Sequence, residues 1–384
     1  MQLTNIYGNM KNVIVNPFVC QGYESPKYFC DREAETENML KSLYNGRNIT
    51  LISPRRLGKT GLIWNAFHHI QSENKDAICL YIDIFPTQSQ HELVNMLGAA
   101  VFNNALSRGK AFEKKVMKFL GALRPVLGVD HMTGLPNVTL NTDPMQADMS
   151  LKSIFSLLGN LDKEVFVAID EFQQITEYPE RGTEALLRSH IQFLRNVHFI
   201  FSGSKQHMMS EMFLSPKRPF YQSTDIMNLL PLEEETYYRF ANSFFEGKGG
   251  CLDREVFREL YATFDGYTWY IQSVLNRLYE SYKKVDGVEQ LRTTILSVTE
   301  SKAPQYEYLT QMLTSNQFAV LRAIAKEGVA TEPTGKEFMK KHNLPGASSV
   351  KTAMETLANK ELVYRLPDGY IVYDRFLGIW LKRL

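Results

Sequence analysis

Four short and almost uninterrupted apolar runs set the limits on this fold. They are NITLIS at 48–53, ICLYIDIF at 78–85, EVFVAIDEF at 164–172 and HFIFSGS at 198–204. Continuous hydrophobicity, as opposed to alternation, marks strands buried on both faces, as in a parallel sheet. Helical spacing fills the gaps. After the first run, Leu62, Ile63, Ala66, Phe67 and Ile70 share one face of a helix from Lys59 to about Ser72. Further helices are predicted at about 90–107, 148–161 and 183–196, and an earlier one at 31–44 ends at Asn45-Gly46. Strands alternating with helices predict right-handed βαβ units around a mostly parallel sheet, an α/β fold.

The rhythm breaks between 108 and 150. Lys110, Lys114, Lys115 and Lys118 precede a stretch that reads as a β-hairpin, with Gly134 and Pro136 near its turn. Beyond residue 232 the strand signal fades and 233–315 reads as helical. Residues 316–384 read as three helices (318–326, 335–342 and 348–360), then two β-like runs around Pro367-Asp368-Gly369, the outline of a winged helix. The predicted organisation is a core over 1–232 with an insertion near 108–150, a helical segment over 233–315, and a winged helix-turn-helix domain over 316–384.

A chain of 384 residues is too long for one small domain. Its 43 Lys and Arg against 42 Asp and Glu give a net charge of +1, so no global basic excess marks a nucleic-acid binder. Cys20, Cys30, Cys79 and Cys251 form no CxxC pair, which leaves neither a zinc knuckle nor a redox dithiol supported. They read as mostly buried free thiols. No signal-peptide core and no run of about 20 apolar residues is visible, so the expected setting is a soluble cytoplasmic one without a membrane partner.

The chemistry is concentrated in SPRRLGKT, residues 53–60, placed after a strand and opening a helix. That context makes backbone N–H groups and a helix N-terminus into an anion-binding concavity. Ser53, Pro54, Arg55, Arg56, Leu57, Gly58, Lys59, Thr60 and Gly61 are the candidate phosphate-binding residues. Gly58 allows close backbone approach, Lys59 would reach the β- and γ-phosphates, and Thr60 would offer its hydroxyl to Mg²⁺. Ser53 stands where a first glycine is usual, so some strain is expected there.

Asp170 and Glu171 end a buried strand, where two adjacent carboxylates are costly unless they have work to do. Asp170 suits the metal side of the site, with Thr60. Glu171 suits the base that orients or activates water. Ligands of open α/β sheets bind at the carboxyl ends of the strands, so loop and acid pair should converge. Ser202 and Ser204, at the end of the fourth run, could place a hydroxyl beside that water. Arg55, Arg56, Arg188, Arg195 and Arg218 are candidates for stabilising transition-state charge, with Arg188 and Arg218 favoured.

Taken in order, KYFCDREAE, SPRRLGKTGLI, YIDIF, VAIDEFQQI, FIFSGS, RPFYQ, LLPL and FDGYTWYIQ resemble the archaeal-type ATPase family. That family belongs to the signal-transduction NTPases within the AAA+ group. The resemblance covers most of the chain. It implies an ASCE P-loop sheet in which the fourth strand separates the loop strand from the Asp-Glu strand, a helical lid and a C-terminal winged helix. It also implies Walker A and Walker B roles for the two motifs above, with ATP and Mg²⁺ as cofactors. Two departures stand out. Asp31 precedes Arg32-Glu33 where the family often has glycine, and Gly266-Tyr267-Thr268 replaces Gly-Asn-Pro in the lid.

From 331 to 384 there are nine Lys or Arg and six Asp or Glu, an excess of three positive charges. The candidate recognition helix offers Ser348, Ser349, Lys351, Thr352 and Lys360 but also Glu355. This is less basic than a DNA reader normally is, so packing or protein contacts are favoured over DNA. The leading expectation is an ATP-binding, ATP-hydrolysing switch whose nucleotide state controls lid and winged helix, with ATP/ADP and an unidentified protein as partners and oligomers allowed. The alternatives are a DNA-associated AAA+ ATPase, such as a loader or transposition-related protein, and a nucleotide-dependent scaffold without hydrolysis. No Asn-Lys-x-Asp motif supports guanine.

Overall fold

The computed structural model describes residues 16–108, 110, 114, 116, 125–129, 136–140 and 147–384. They form two compact units. One is Gln21–Leu232; the other joins residues 16–20 to Glu233–Leu384.

The first unit is built on β1 (Ile49–Ile52), β2 (Ile78–Asp83), β5 (Val165–Asp170), β6 (Val197–Gly203) and β7 (Asp225–Asn228). A separate antiparallel pair, β3 (Pro125–Val129) and β4 (Pro136–Leu140), lies in the 108–150 stretch. It forms where the sequence predicts a hairpin; Gly134, Lys115 and Lys118 lie outside the described residues. The main sheet is parallel throughout, in the order β2-β5-β6-β1-β7. Thus β6 separates the loop strand from the Asp-Glu strand, as the resemblance implies.

Every residue of β1, β5 and β6 is buried, which accounts for their unbroken apolar runs. β2 alternates because it is an edge strand, and β7 is the other edge. The sequence reading contains no β7. Its four residues, DIMN, are half-buried or exposed, so burial never imposed an apolar pattern on them. Helix Lys59–Glu73 buries the predicted stripe of Leu62, Ile63, Ala66, Phe67 and Ile70. The four larger side chains, Leu62, Ile63, Phe67 and Ile70, each stabilise the fold by about 1.5–3 kcal/mol before entropy is counted. Phe172, Phe201, Phe213 and Phe220 close the core below the acid pair, with Phe172 and Phe201 at 4.5 Å between centroids.

In the second unit, helices Glu234–Gly247, Arg254–Thr263, Thr268–Ser281, Val288–Glu300 and Ala303–Gln311 follow one another, with a short parallel pair at Cys251–Leu252 and Lys284–Val285. The winged helix has helices Ser315–Glu327, Lys336–Lys341 and Ala347–Asn359, then the hairpin Val363–Leu366 and Gly369–Val372. A last helix, Arg375–Lys382, is capped by Asp374 and was not predicted as a separate element. Its Phe376, Trp380 and Leu381 are buried. All four cysteines are free, and only Cys30 is buried. Among the described residues no helix is long and apolar enough to cross a membrane.

Candidate active site

The loop after β1 takes its turns at Arg56 (φ 71°) and Gly58 (φ 95°), in the left-handed region. The strain expected at Ser53 is therefore not there. Ser53 is buried, its amide donates to the Gly203 carbonyl at 3.4 Å, and its hydroxyl donates to the Pro54 carbonyl at 2.8 Å. Gly58 is the residue before helix Lys59–Glu73, whose first amides have no intrahelical acceptor and carry the positive end of the dipole. Leu57 is buried beneath the loop. Gly61 has a packing reason to be glycine, because a Cβ there would meet the Phe29 ring at 2.8 Å.

Lys59 is only 7% exposed. Its Nζ donates to the Ser53 and Pro54 carbonyls at 3.0 and 3.2 Å. An ammonium has three N–H groups, so one remains for a ligand. Burial lowers its pKa, while the nearby Asp170 and Glu171 charges push it back up.

The acid pair converges on this loop. Thr60 Oγ1 donates to Asp170 Oδ2 at 3.2 Å, and Tyr81, from β2, donates its hydroxyl to the same oxygen at 2.5 Å. The Glu171 amide donates to Asp170 Oδ1 at 3.0 Å. Glu171 is left-handed (φ 54°), a conformation that costs a non-glycine residue about 1–3 kcal/mol and clusters at functional sites. Its Oε2 accepts from Ser204 Oγ at 2.7 Å and from Gln173 Nε2 at 2.5 Å. Arg55 Nε donates to Ser204 Oγ at 3.3 Å, and its guanidinium lies 5.6 Å from the Phe85 ring centroid. Asp83 is the register partner of Asp170. Partial burial raises its carboxyl pKa, and Asp170 and Glu171 add to this against the Phe85 amide.

Of the two serines, Ser204 touches Glu171. Ser202 is wholly buried in β6, and its hydroxyl has no partner. Arg218 pairs with Glu184 and, at 3.7 Å, with Glu211, so its charge is engaged away from the loop. Arg188 is half-buried on helix Thr183–Ile191. Neither arginine bonds to the loop or the acid pair. The first motif explains its own departure: Asp31 (φ 52°) and Arg32 (φ 76°) are left-handed, the region glycine enters freely. Arg32 is buried, donating to the Leu230 carbonyl at 2.6 Å and to Glu35 at 2.5 Å.

Sequence reasoning missed Tyr81 and Gln173. Tyr81 reaches Asp170 from another strand, a contact that no local motif encodes, whereas Gln173 lies two residues beyond Glu171 in the VAIDEFQQI run. One signal was available for Gln173: Gly203, where a Cβ would meet Gln173 Oε1 at 2.3 Å. The residues present fit a triphosphate and Mg²⁺. A buried ammonium keeps one donor to spare, the helix N-terminus opens beside it, and a hydroxyl and a carboxylate lie together as hard oxygen donors.

The family model for the ATPase domain predominantly from Archaea matches residues 29–274, well over half of the chain. The chain belongs to this archaeal-type ATPase family. A second model, a probable winged helix domain, matches residues 304–383 of the ATPase. A Walker-type ATPase of Pyrococcus abyssi has the same fold with a TM-score of 0.65 at 18% identity, over 96% of this chain and 100% of that one. The Aeropyrum pernix ORC2 protein follows with a TM-score of 0.54 at 15% identity, over 96% of this chain and 95% of that one. The ORC1 protein of the same organism, solved with DNA, gives 0.53 at 12%, over 96% of both chains. These likenesses carry the fold, that of an AAA+-like P-loop ATPase. Membership of the family implies nucleotide binding, usually with Mg²⁺. A sequence comparison with curated proteins returns no match.

Proposed function

We propose that this archaeal-type ATPase binds Mg²⁺–ATP at the loop and hydrolyses it slowly, as a switch whose nucleotide state controls the helical segment and winged helix. The observation that carries the reading is the meeting of Thr60 and Asp170 at 3.2 Å beside a buried Lys59. Lys59 and the helix N-terminus would hold phosphate oxygens, and Thr60 and Asp170 would hold the cation. Bound Mg²⁺ would supply charge neutralisation on the phosphates. Glu171 orients water and takes its proton, with Ser204 and Gln173 setting the direction of its carboxylate. Arg55 is the cation best placed to assist, since it already bonds to Ser204. Arg188 and Arg218 keep that role only for phosphate presented by a partner molecule.

The helical segment and the winged helix share one compact unit, which supports their acting as one body. The Arg375–Asp265 ion pair at 2.6 Å and the Phe264–Phe376 ring contact at 5.1 Å join them.

The test is ATP binding and turnover by the native chain, Lys59→Ala and Glu171→Gln, with and without DNA. Lys59→Ala should lose nucleotide binding. Glu171→Gln should bind normally and turn over roughly 10²–10⁴-fold more slowly. Full affinity in Lys59→Ala would sink the site assignment, and equal turnover in Glu171→Gln would support the scaffold reading. One structural neighbour was solved with DNA. In this chain, helix Ala347–Asn359 exposes Glu355 beside Lys351 and Thr352, which weighs toward a protein partner. DNA binding that is lost on charge reversal of Lys351 and Lys360 would reverse that preference.

A further inference from the structure

Tyr81 stands on the edge strand β2, at the first position of the YIDIF run. Its hydroxyl shares one acceptor, Asp170 Oδ2, with the hydroxyl of Thr60. The other Asp170 oxygen is taken by the Glu171 amide. The carboxylate is thus fixed by donors from three separate elements: the edge strand, the helix after the loop, and the turn after β5. The phenol ring is fixed in turn by Trp64, 5.4 Å away at 37°, on the same helix that carries Thr60. A phenol, with an ordinary pKa of about 10, is protonated at neutral pH and so acts as a donor to the carboxylate.

A carboxylate that ligates a cation is most effective when its rotamer is locked by a neighbour that does not itself ligate. A bare capping role predicts something else, namely a loss of stability with no change in the metal requirement. We propose that Tyr81 is a positioning residue whose hydroxyl fixes the Asp170 carboxylate for the divalent cation and so sets how much Mg²⁺ the site requires. This inference rests on the reading of the pocket as a Mg²⁺–nucleotide site.

The experiment measures binding of a fluorescent ATP analogue to the full chain, first in chelator and then over a Mg²⁺ titration. Tyr81→Phe removes one oxygen and keeps the ring against Trp64. Its affinity in chelator should equal that of the native chain, which also reports that the variant is folded. Its Mg²⁺ midpoint should rise roughly tenfold, the size typical of losing a partner behind a metal ligand. An unchanged or lower Mg²⁺ midpoint beside a normally binding native chain would overturn the Tyr81 assignment alone. A native chain that binds nucleotide with no Mg²⁺ dependence would overturn it together with the metal half of the functional reading. A Lys59→Ala chain that binds as well as the native one would instead overturn the pocket itself.

Discussion

Oε2 of Glu171 accepts two hydrogen bonds at once, from Ser204 and from Gln173, and that shared oxygen ties β6 to the turn after β5. Gln173 lies in that position because Gly203 has no side chain; a Cβ would come within 2.3 Å of Gln173 Oε1 and 2.5 Å of Met209 Sδ. Gly203→Ala is therefore expected to cost about 1–3 kcal/mol by overpacking a fully buried strand. It should also move Gln173 off Glu171. Denaturant unfolding would show a lower midpoint at constant slope, and turnover should fall more than nucleotide affinity does. If affinity and turnover fell together, Gln173 would be part of the packing and not of the base's support. Lys59, Thr60, Asp170 and Glu171 were legible in the sequence because each lies in a short run whose spacing is itself the chemistry. Tyr81 and Gln173 were not. Tyr81 meets Asp170 across 89 residues of chain, a contact that only strand order creates.

The same division holds for the elements. Strands β5 and β6 announced themselves because both faces are covered, and β7 was silent because an edge strand of four residues needs no apolar run. The segment 16–20, read from the sequence as irregular, is tightly placed within the second unit. Phe18 is 0% exposed, with Phe244, Phe245 and Tyr279 at 5.6–5.9 Å between centroids. Asn16 Nδ2 donates to the Asn276 carbonyl and Asn276 Nδ2 to that of Phe18, both at 2.7 Å. Pattern reading cannot see such a strap, since five residues carry no period. Phe18→Ala should cost about 3–5 kcal/mol, the usual loss for a buried aromatic. Thermal unfolding of the second unit should drop accordingly, while nucleotide affinity at the loop stays unchanged. At the cap of helix Arg254–Thr263, Asp253 accepts from the Glu255 and Val256 amides. Asp253→Ala should cost only about 1 kcal/mol in the same unit, checked by the same scan.

For the whole molecule, the division into two units makes the switch reading measurable. The chain passes between them at only two places, Cys20 to Gln21 and Leu232 to Glu233. All the residues proposed to hold nucleotide belong to Gln21–Leu232. A ligand present at 100 times its Kd stabilises the unit it binds by about 2.7 kcal/mol. Were the units independent, scanning calorimetry with Mg²⁺–ADP would raise only the transition of the core. A switch requires differential interaction of the nucleotide with two states of the rest of the chain, so the second transition must move as well. We expect both to shift in the native chain and neither in Lys59→Ala. Because the helical segment and winged helix are joined through Arg375, Asp265 and Phe376, that second transition should be single, not split between them. A second transition that stays fixed while the first rises would leave an ATPase whose nucleotide state goes unread by its winged helix.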